Sequence, residues 1–444
     1  MTNELEARFL KSNKVLNMKN RDKTGPMIIK EDHELIFQSL TDPRVISEFI
    51  EIVNRSSVDY NKNFILNFKS VTGAYPNVCV PLAGMIWNLT GKGYSFDFYY
   101  LSDYLKKVAF QNPFRVKNNT DVLRISSLDK IWRFESADDM YFLVNEFTRE
   151  LSQVIVCEKG VIEGFEWSIN EVLDNVLQHS TKSFGFVMGQ VHEKSKHFVF
   201  CVYDTGQGIY QSLLNSEHKP RNPVDALKLA VSEGITRDKS IGQGNGLWGL
   251  HQIVKENTGQ LNIISGSAAY SLINNKVSVF PDRPHLPLDN GCIVDFQLDY
   301  SKEISVSKAL GGYEPVNLTI ESAENEAGDI VVTLRNKESG VGTRTSGEKI
   351  RHEMTNLYKQ SNKTITLDFA GINIISSSFA DELLGKLVIE FGFYGFNNVF
   401  KLKNMNADVQ SIVQRSVAQR MMESYNGKNT EISKSGKTKA SQEK

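Results

Sequence analysis

Three stretches decide the fold when read together: Asn170-Glu-Val-Leu-Asp-Asn-Val-Leu-Gln-His179, Val199-Phe-Cys-Val-Tyr-Asp-Thr-Gly-Gln-Gly-Ile209 and Gly234-Ile-Thr-Arg-Asp-Lys-Ser-Ile-Gly-Gln-Gly-Asn-Gly-Leu-Trp-Gly-Leu250. The first has the pattern of a helix. Glu171, Asn175 and His179 recur every four residues and so share one face. Val172, Leu173, Val176 and Leu177 form the side that packs. The second is a hydrophobic strand that ends in Asp204 and continues as Gly206-Gln-Gly208-Ile209. A carboxylate at a strand end can accept a hydrogen bond from the amino group of a planar base, and glycines let backbone approach that base closely. The third is a loop with Gly242, Gly244 and Gly246 that runs through Asn245 into a helix start at about Leu247. The N–H groups and positive dipole end of such a junction suit phosphate. Arg237 and Lys239 add mobile cations beside it. Each signal alone has a plain structural reading as a turn, a loop or a solvated helix face. Their order, with a sheet between them, points to one nucleotide pocket between about Phe165 and Phe296.

In that order the three stretches resemble the N, G1 and G2 boxes of the GHKL ATPase superfamily, which holds gyrase-type ATPases, histidine kinases and anti-sigma factor serine kinases. The resemblance implies a Bergerat fold with ATP and Mg2+ as cofactors. It implies that Asn175 coordinates the magnesium that bridges the phosphates, and that Glu171 acts as general base or orders the magnesium shell. Asp204 would read adenine, Gly206 and Gly208 would shape its pocket, and Gly242, Gly244 and Gly246 would form a hinged lid. His179, Ile209, Lys239, Asn245 and Leu247 complete the expected nucleotide-binding set, and Arg237 joins Glu171 as an expected catalytic residue. This chain has Gly291-Cys292 where the family often has Gly-Thr, and Trp248 where a smaller residue is more usual. His33 lacks the Arg-Thr-Pro that follows a histidine-kinase phosphoacceptor and reads as a surface histidine.

Outward from these boxes, residues 138–154 and 161–179 read as two long amphipathic helices. Strands are expected at 185–192 and 197–204, a helix at 247–257, and strands near Leu261 and Cys292. Helices on one face of a mixed sheet make this block α+β. The first block reads strand at Phe64, helix from Pro81 to Leu89, stop at Gly91 to Gly93, strand from Tyr94. The expected fold class is therefore α+β multidomain, with a central Bergerat sandwich at 131–300 between two smaller STAS-like α/β domains at 26–130 and 315–425. An N-terminal arm (1–25), a linker (301–314) and a disordered tail (426–444) complete the chain. The tail is rich in Lys, Ser, Gly and Asn and has no aromatic residue.

The two outer blocks align on each other. Leu66 to Leu82 lies on Leu367 to Leu383 without gaps, with Gly84 on Gly385 and Ile86 on Leu387. Both read strand, loop, helix, glycine, strand. The stretch Ile365-Thr-Leu-Asp-Phe-Ala-Gly-Ile-Asn-Ile-Ile-Ser-Ser-Ser-Phe-Ala-Asp-Glu-Leu383 resembles the STAS fold of anti-sigma factor antagonists. It is nearest to a STAS-like domain of unknown function found beside such ATPases. In that family a serine before the helix is phosphorylated by a GHKL kinase, and Ser377 is the matching position. Ser376 stands where an acidic residue is usual and Phe379 where glycine is usual. The plain alternative is that Ser376–Ser378 cap the helix, with Asp381 and Glu382 favouring its dipole. Pro76 falls opposite Ser377, so the first copy has no hydroxyl to modify there.

The chain has 444 residues, more than one core can use, which implies about three domains. A formal net charge of −1 offers no global field for DNA or an anionic membrane, so direct nucleic-acid binding is not expected. The four cysteines Cys79, Cys157, Cys201 and Cys292 are scattered, which argues against zinc and for reduced thiols. The start of the chain lacks a signal-peptide pattern and no apolar run approaches a membrane span, so a cytoplasmic location is expected. The leading function is an Mg-ATP-binding regulatory ATPase or serine kinase that acts through lid closure on STAS-like modules or on a protein partner. Two alternatives stay open: an ATP-gated interaction switch with little turnover, and an ATP-dependent clamp that closes as a homodimer.

Overall fold

The computed structural model describes residues 25–58, 62–179, 184–214, 216–235, 245–286 and 290–439. The first block runs β1 (Ile28–Glu31), β2 (Glu34–Phe37), α1 (Arg44–Val58), β3 (Asn63–Asn67), α2 (Pro76–Thr90) and β4 (Ser95–Tyr99). Its strand order is β1-β2-β3-β4, with β1 antiparallel to β2 and the other pairs parallel. Helix α2 starts at Pro76, five residues before the expected point. Proline is at home there, because the first helical N–H has no partner inside the helix.

After α3 (Asp103–Lys107) come β5 (Phe114–Arg115), α4 (Thr120–Ile125), β6 (Trp132–Phe134), α5 (Ala137–Val154) and α6 (Val161–His179). Strands β7 (Gly185–His192) and β8 (His197–Asp204) follow, then α7 (Gly208–Leu214), α8 (Pro223–Ala230) and α9 (Gly246–Glu256). The block closes with β9 (Gln260–Ser265), β10 (Ala268–Ile273), β11 (Lys276–Phe280), β12 (Cys292–Asp299) and α10 (Val306–Ala309). The eight strands form one sheet in the order β11-β10-β9-β12-β8-β7-β6-β5. All pairs are antiparallel except β5 with β6. Strand β5 lies before residue 131, so the preceding block contributes an edge to this sheet.

Strand β8 shows why this sheet sits in the middle of a packed layer structure. Successive side chains point to opposite faces. Phe198 and Phe200 point to one face, where Phe165 of α6 lies 5.3 and 4.5 Å from their rings and Phe147 of α5 lies 5.0 Å from Phe200. Cys201 and Tyr203 point to the other face, and with Phe186 and Met188 of β7 they join the core of the first block. There α2 lies against them: a Cβ on Gly84 would sit 2.9 Å from the Phe186 ring and would overlap that of Tyr203. The expected sheet had helices on one face. The second face is covered by a helix from the preceding block, because strands apolar on both faces need cover on both. Residues 301–314, expected as a linker, bury Ile304, Val306 and Leu310, the first two beside Gly164 of α6.

The third block contains α11 (Leu318–Ala323), β13 (Ile330–Thr333), α12 (Arg344–Ser361), β14 (Ile365–Asp368) and α13 (Ser377–Ala380). Helix α13 continues through a π-turn at Asp381–Gly385 into α14 (Lys386–Val399), followed by β15 (Phe400–Lys403) and α15 (Ala407–Lys439). The sheet is β13-β14-β15, parallel throughout. Helix α15 extends into the polar segment whose composition predicts disorder. The chain divides into two compact units, residues 1–147 with 163–315 and residues 148–162 with 316–444. Within the second unit, the fully buried Asn356 of α12 holds residues 152–157. Its Nδ2 donates to the carbonyls of Ser152 (2.9 Å) and Ile155 (2.7 Å), and its Oδ1 accepts from the Cys157 N–H (2.8 Å). No described helix is long and apolar enough to cross a membrane.

Candidate functional site

Helix α6 carries the polar stripe and α9 begins against it. A Cβ on Gly246, the first residue of α9, would lie 2.7 Å from Glu171 Oε2 and 3.2 Å from Asn175 Nδ2. The start of α9 therefore lies against the α6 carboxylate and amide. Asn175 Nδ2 is buried and has no hydrogen-bond partner among the described residues. A buried orphan donor costs about 1–3 kcal/mol, a cost that a bound acceptor would remove. Burial, with the Asp174 carboxylate adding to it, pushes Glu171 up to about 7. Glu171 can therefore hold or release a proton near neutrality, as a general base must.

The strand end is drawn to the same place. Asp204 pairs with Gly185 across β7 and β8, and a Cβ on Gly185 would lie 2.9 Å from the Val176 side chain. Asp204 therefore stands on the α6 face of the sheet, at the level of Asn175 and Val176. It is buried, and its Oδ1 accepts the Gly206 N–H at 2.7 Å. The Thr205 hydroxyl beside it is buried with no partner among the described residues. Gly208 has φ +75°, and a Cβ there would lie 2.6 Å from the Asn290 carbonyl oxygen. The Ile209 N–H donates to Ser265 Oγ at 2.9 Å.

Asn245 bridges the glycine-rich loop. Its Oδ1 accepts the Gly234 N–H at 3.2 Å and its carbonyl accepts the Gly249 N–H at 2.7 Å. Both ends of the loop are thus tied together. Leu247 lies half-buried in the first turn of α9. His179 is the last residue of α6. Arg237, Lys239, Gly242 and Gly244 lie outside the described residues. Among the described residues no cluster of three His, Cys, Asp or Glu side chains could hold a metal ion.

Sequence reading did not single out Ser265, which anchors the loop at Ile209, or the part played by Asp174 in raising Glu171. Ser265 sits at the end of β9, opposite Cys292 of β12, and only the strand register brings it under the loop. Asp174 was one turn-neighbour away from the stripe and was readable there. Cys292 is half-buried, and burial raises its thiol pKa.

A second chemical feature lies in the third block. Ser376 caps α13, its Oγ accepting the Phe379 N–H at 3.0 Å and lying 3.0 Å from Ser378 Oγ. Ser377 is exposed, and its backbone carbonyl accepts from Ser416. One turn on, Glu382 is 1% exposed and meets Arg344 (3.0 Å), Arg351 (3.1 Å) and Lys386 (2.6 Å). Asp381 binds Arg420 at 2.6 Å and Arg344 at 3.3 Å. Burial pushes Glu382 up, but the bonds from Lys386 and Arg351 outweigh it and hold the carboxyl below its usual range. The Arg420 bond does the same for Asp381. Both acids are committed to pinning α12, α14 and α15 around the turn.

Residues 346–410 match a STAS-like domain of unknown function (DUF4325). The match covers the serine turn with Asp381, Glu382, Arg351 and Lys386, while Arg344 and Arg420 lie outside it. No curated protein matches the chain.

Proposed function

We propose that this chain is an Mg-ATP-binding regulatory protein of the GHKL type, with a Bergerat pocket at Glu171, Asn175, Asp204 and Gly246, that acts on STAS-like modules. The observation that carries this reading is the orphaned Asn175 amide, held beside a carboxylate poised near pH 7 and the open start of α9. The donor set fits the nucleotide and its ion. The Asn175 amide can present its oxygen to a cation or its nitrogen to a phosphate oxygen, the α9 amides suit phosphate, and the buried Asp204 carboxylate suits an exocyclic amino group. Bound magnesium would supply neutralisation of the phosphate charge. Glu171, with its raised pKa, would take the proton from the attacking hydroxyl or water. Arg237 and Lys239 are the proposed cations of the lid, and the tie between Gly234 and Asn245 is its neck.

The matching topology of the first block supports reading it as a second STAS-like module without the serine. The exposed Ser377 is the proposed acceptor in the third block. Mass spectrometry after incubation with Mg-ATP tests this. Phosphate on Ser377 in the wild type, absent from Asn175→Ala and Ser377→Ala, is the expected result. ADP without phosphoprotein would make the chain an ATPase, and bound, uncleaved ATP would make it a switch. Failure of wild-type and Asn175→Ala protein to differ in ATP affinity would end the proposal.

A further inference from the structure

We propose that a pocket on the opposite face of the central sheet, between α1 and the segment joining β11 to β12, binds a small organic anion. Its phosphate or carboxylate would sit on the Arg283 guanidinium and its body in the adjoining cavity. This proposal does not rest on the nucleotide reading. The pocket is lined by Tyr203, Ile264 and Ile293, which alternate with the residues facing α6.

Arg283 is the unusual group. Its backbone N–H donates to the Ser267 carbonyl at 2.6 Å, and the next turn of chain is pinned where Asn54 Nδ2 donates to the His285 carbonyl at 3.0 Å. The side chain is thereby aimed under α1, where one Nη donates to Ser47 Oγ at 3.4 Å. A guanidinium has five N–H donors, and no carboxylate lies within ion-pair distance of this one among the described residues. Burial alone acts on it and disfavours its charge. Arginines that only pack against a surface keep the head in water. This one is half-buried with no acid within ion-pair distance among the described residues, an arrangement that a bound oxyanion would stabilise.

The size and lining select the ligand. The inner pocket is about 40 Å³, with Ile46, Ile50 and Met85 making it mostly apolar. At ~10–15 Å³ per water, it takes one oxyanion head and little more. Gly266, His285 and Asn290 also line a second cavity of about 180 Å³, which opens toward Gly208, Tyr210 and Ser265 at the strand-end loop. A head in the first and a compact body in the second fit a small phosphate ester or carboxylic acid.

The test is thermal unfolding and calorimetric titration of the full chain without nucleotide, with inorganic phosphate and acetate against chloride at equal ionic strength. A rise in the unfolding temperature with phosphate or acetate over chloride is expected. Arg283→Gln should weaken binding about tenfold or more, the loss of one charge-assisted contact. Ser47→Ala should weaken it less, and Arg283→Lys should keep part of it, so the proposal stays testable if Arg283→Gln folds poorly. The part of the response that Arg283→Gln removes should be the same size in an Asn175→Ala background. No response beyond chloride overturns the proposal. So does a response that Arg283→Gln leaves undiminished in both backgrounds.

Discussion

The first and third blocks are built on one plan and put to different uses. Each has three parallel strands joined by two helices, β2-α1-β3-α2-β4 and β13-α12-β14-α13/α14-β15. The offset that lays Pro76 on Ser377 also lays residues 44–58 on 345–359, inside α12, and Pro76 and Ser377 are each the first residue of a helix. Pro81, which has no N–H to donate, lies inside α2 at the position that matches Glu382 of the π-turn. The surroundings differ. In the first block the helix starts uncapped at Pro76 and is buried along most of its length against the central sheet. In the third block a capping serine presents an exposed serine, and the turn beyond is lined with charge. A helix that becomes a layer of a neighbouring core loses its free surface, whereas one held by salt bridges keeps its start open to a partner.

The largest expected effect is all-or-none. If the proposed kinase reading holds, intact-mass analysis after Mg-ATP treatment shows phosphate at Ser377 and none on a Pro76→Ser chain at residue 76. Phosphate at residue 76 would break the comparison.

Next comes the paired glycine in each block. Gly84→Ala drives a methyl into Phe186 and Tyr203 and should cost ~1–3 kcal/mol or more. Gly385→Ala meets Cγ of Arg420 at 2.9 Å. The Arg420 head is held by Asp381, whose Oδ1 the methyl also approaches to 3.2 Å, so the strain should outweigh the ~1 kcal/mol gain in helix propensity but stay below the cost at Gly84, where the neighbours are buried rings. Denaturant unfolding, followed separately for the two units, reads both.

Single carboxyls in the two units should respond to pH in opposite directions. In the first unit, burial raises Glu171 to about 7 and Asp295 to about 6, the latter against the opposing bonds of Asn262 and Asn77. Carboxyls with raised pKa bind more protons folded than unfolded, so these two lose their stabilising contribution as pH climbs from about 4 to about 7. Burial lowers His192 to about 4 and lowers His197 and His251, and these groups gain stability over the same range, so the slope of the whole unit is the sum of both. Asp381 and Glu382 in the second unit are lowered, so their contribution is present above about pH 4 and fades as pH falls below it. Melting curves across pH 3–8 should show the advantage of the wild type over Glu171→Gln shrinking as pH rises and its advantage over Asp381→Asn shrinking as pH falls, and equal pH dependence of the two differences would refute it. The smallest effect is the cap: Ser376→Ala should cost the second unit about 1 kcal/mol and leave the first unchanged.

The elements were legible because their signals are local. The helices over 138–154 and 161–179, the strands at 185–192 and 197–204 and the helix near 247 follow from spacings of two and four residues. The gathering of Glu171 with Asn175 follows from the same spacing, and the start of a helix at Gly246 follows from the glycine loop before it. Helices α7 and α8 were missed, since the Gly- and Asn-rich composition of 206–246 masks two short helices. Composition also marked 301–314 as a linker, though three of its apolar residues are buried. The rest depended on contacts remote in sequence. That α2 covers the back of the central sheet, that Ser265 lies under the Ile209 amide, that Asn356 holds residues 152–157 and that Arg283 is drawn beneath α1 are set by strand register and layer packing. A side chain's spacing along its own helix or strand determines which face it shares. What that face meets is decided only when segments hundreds of residues apart compete to exclude water from the same surface.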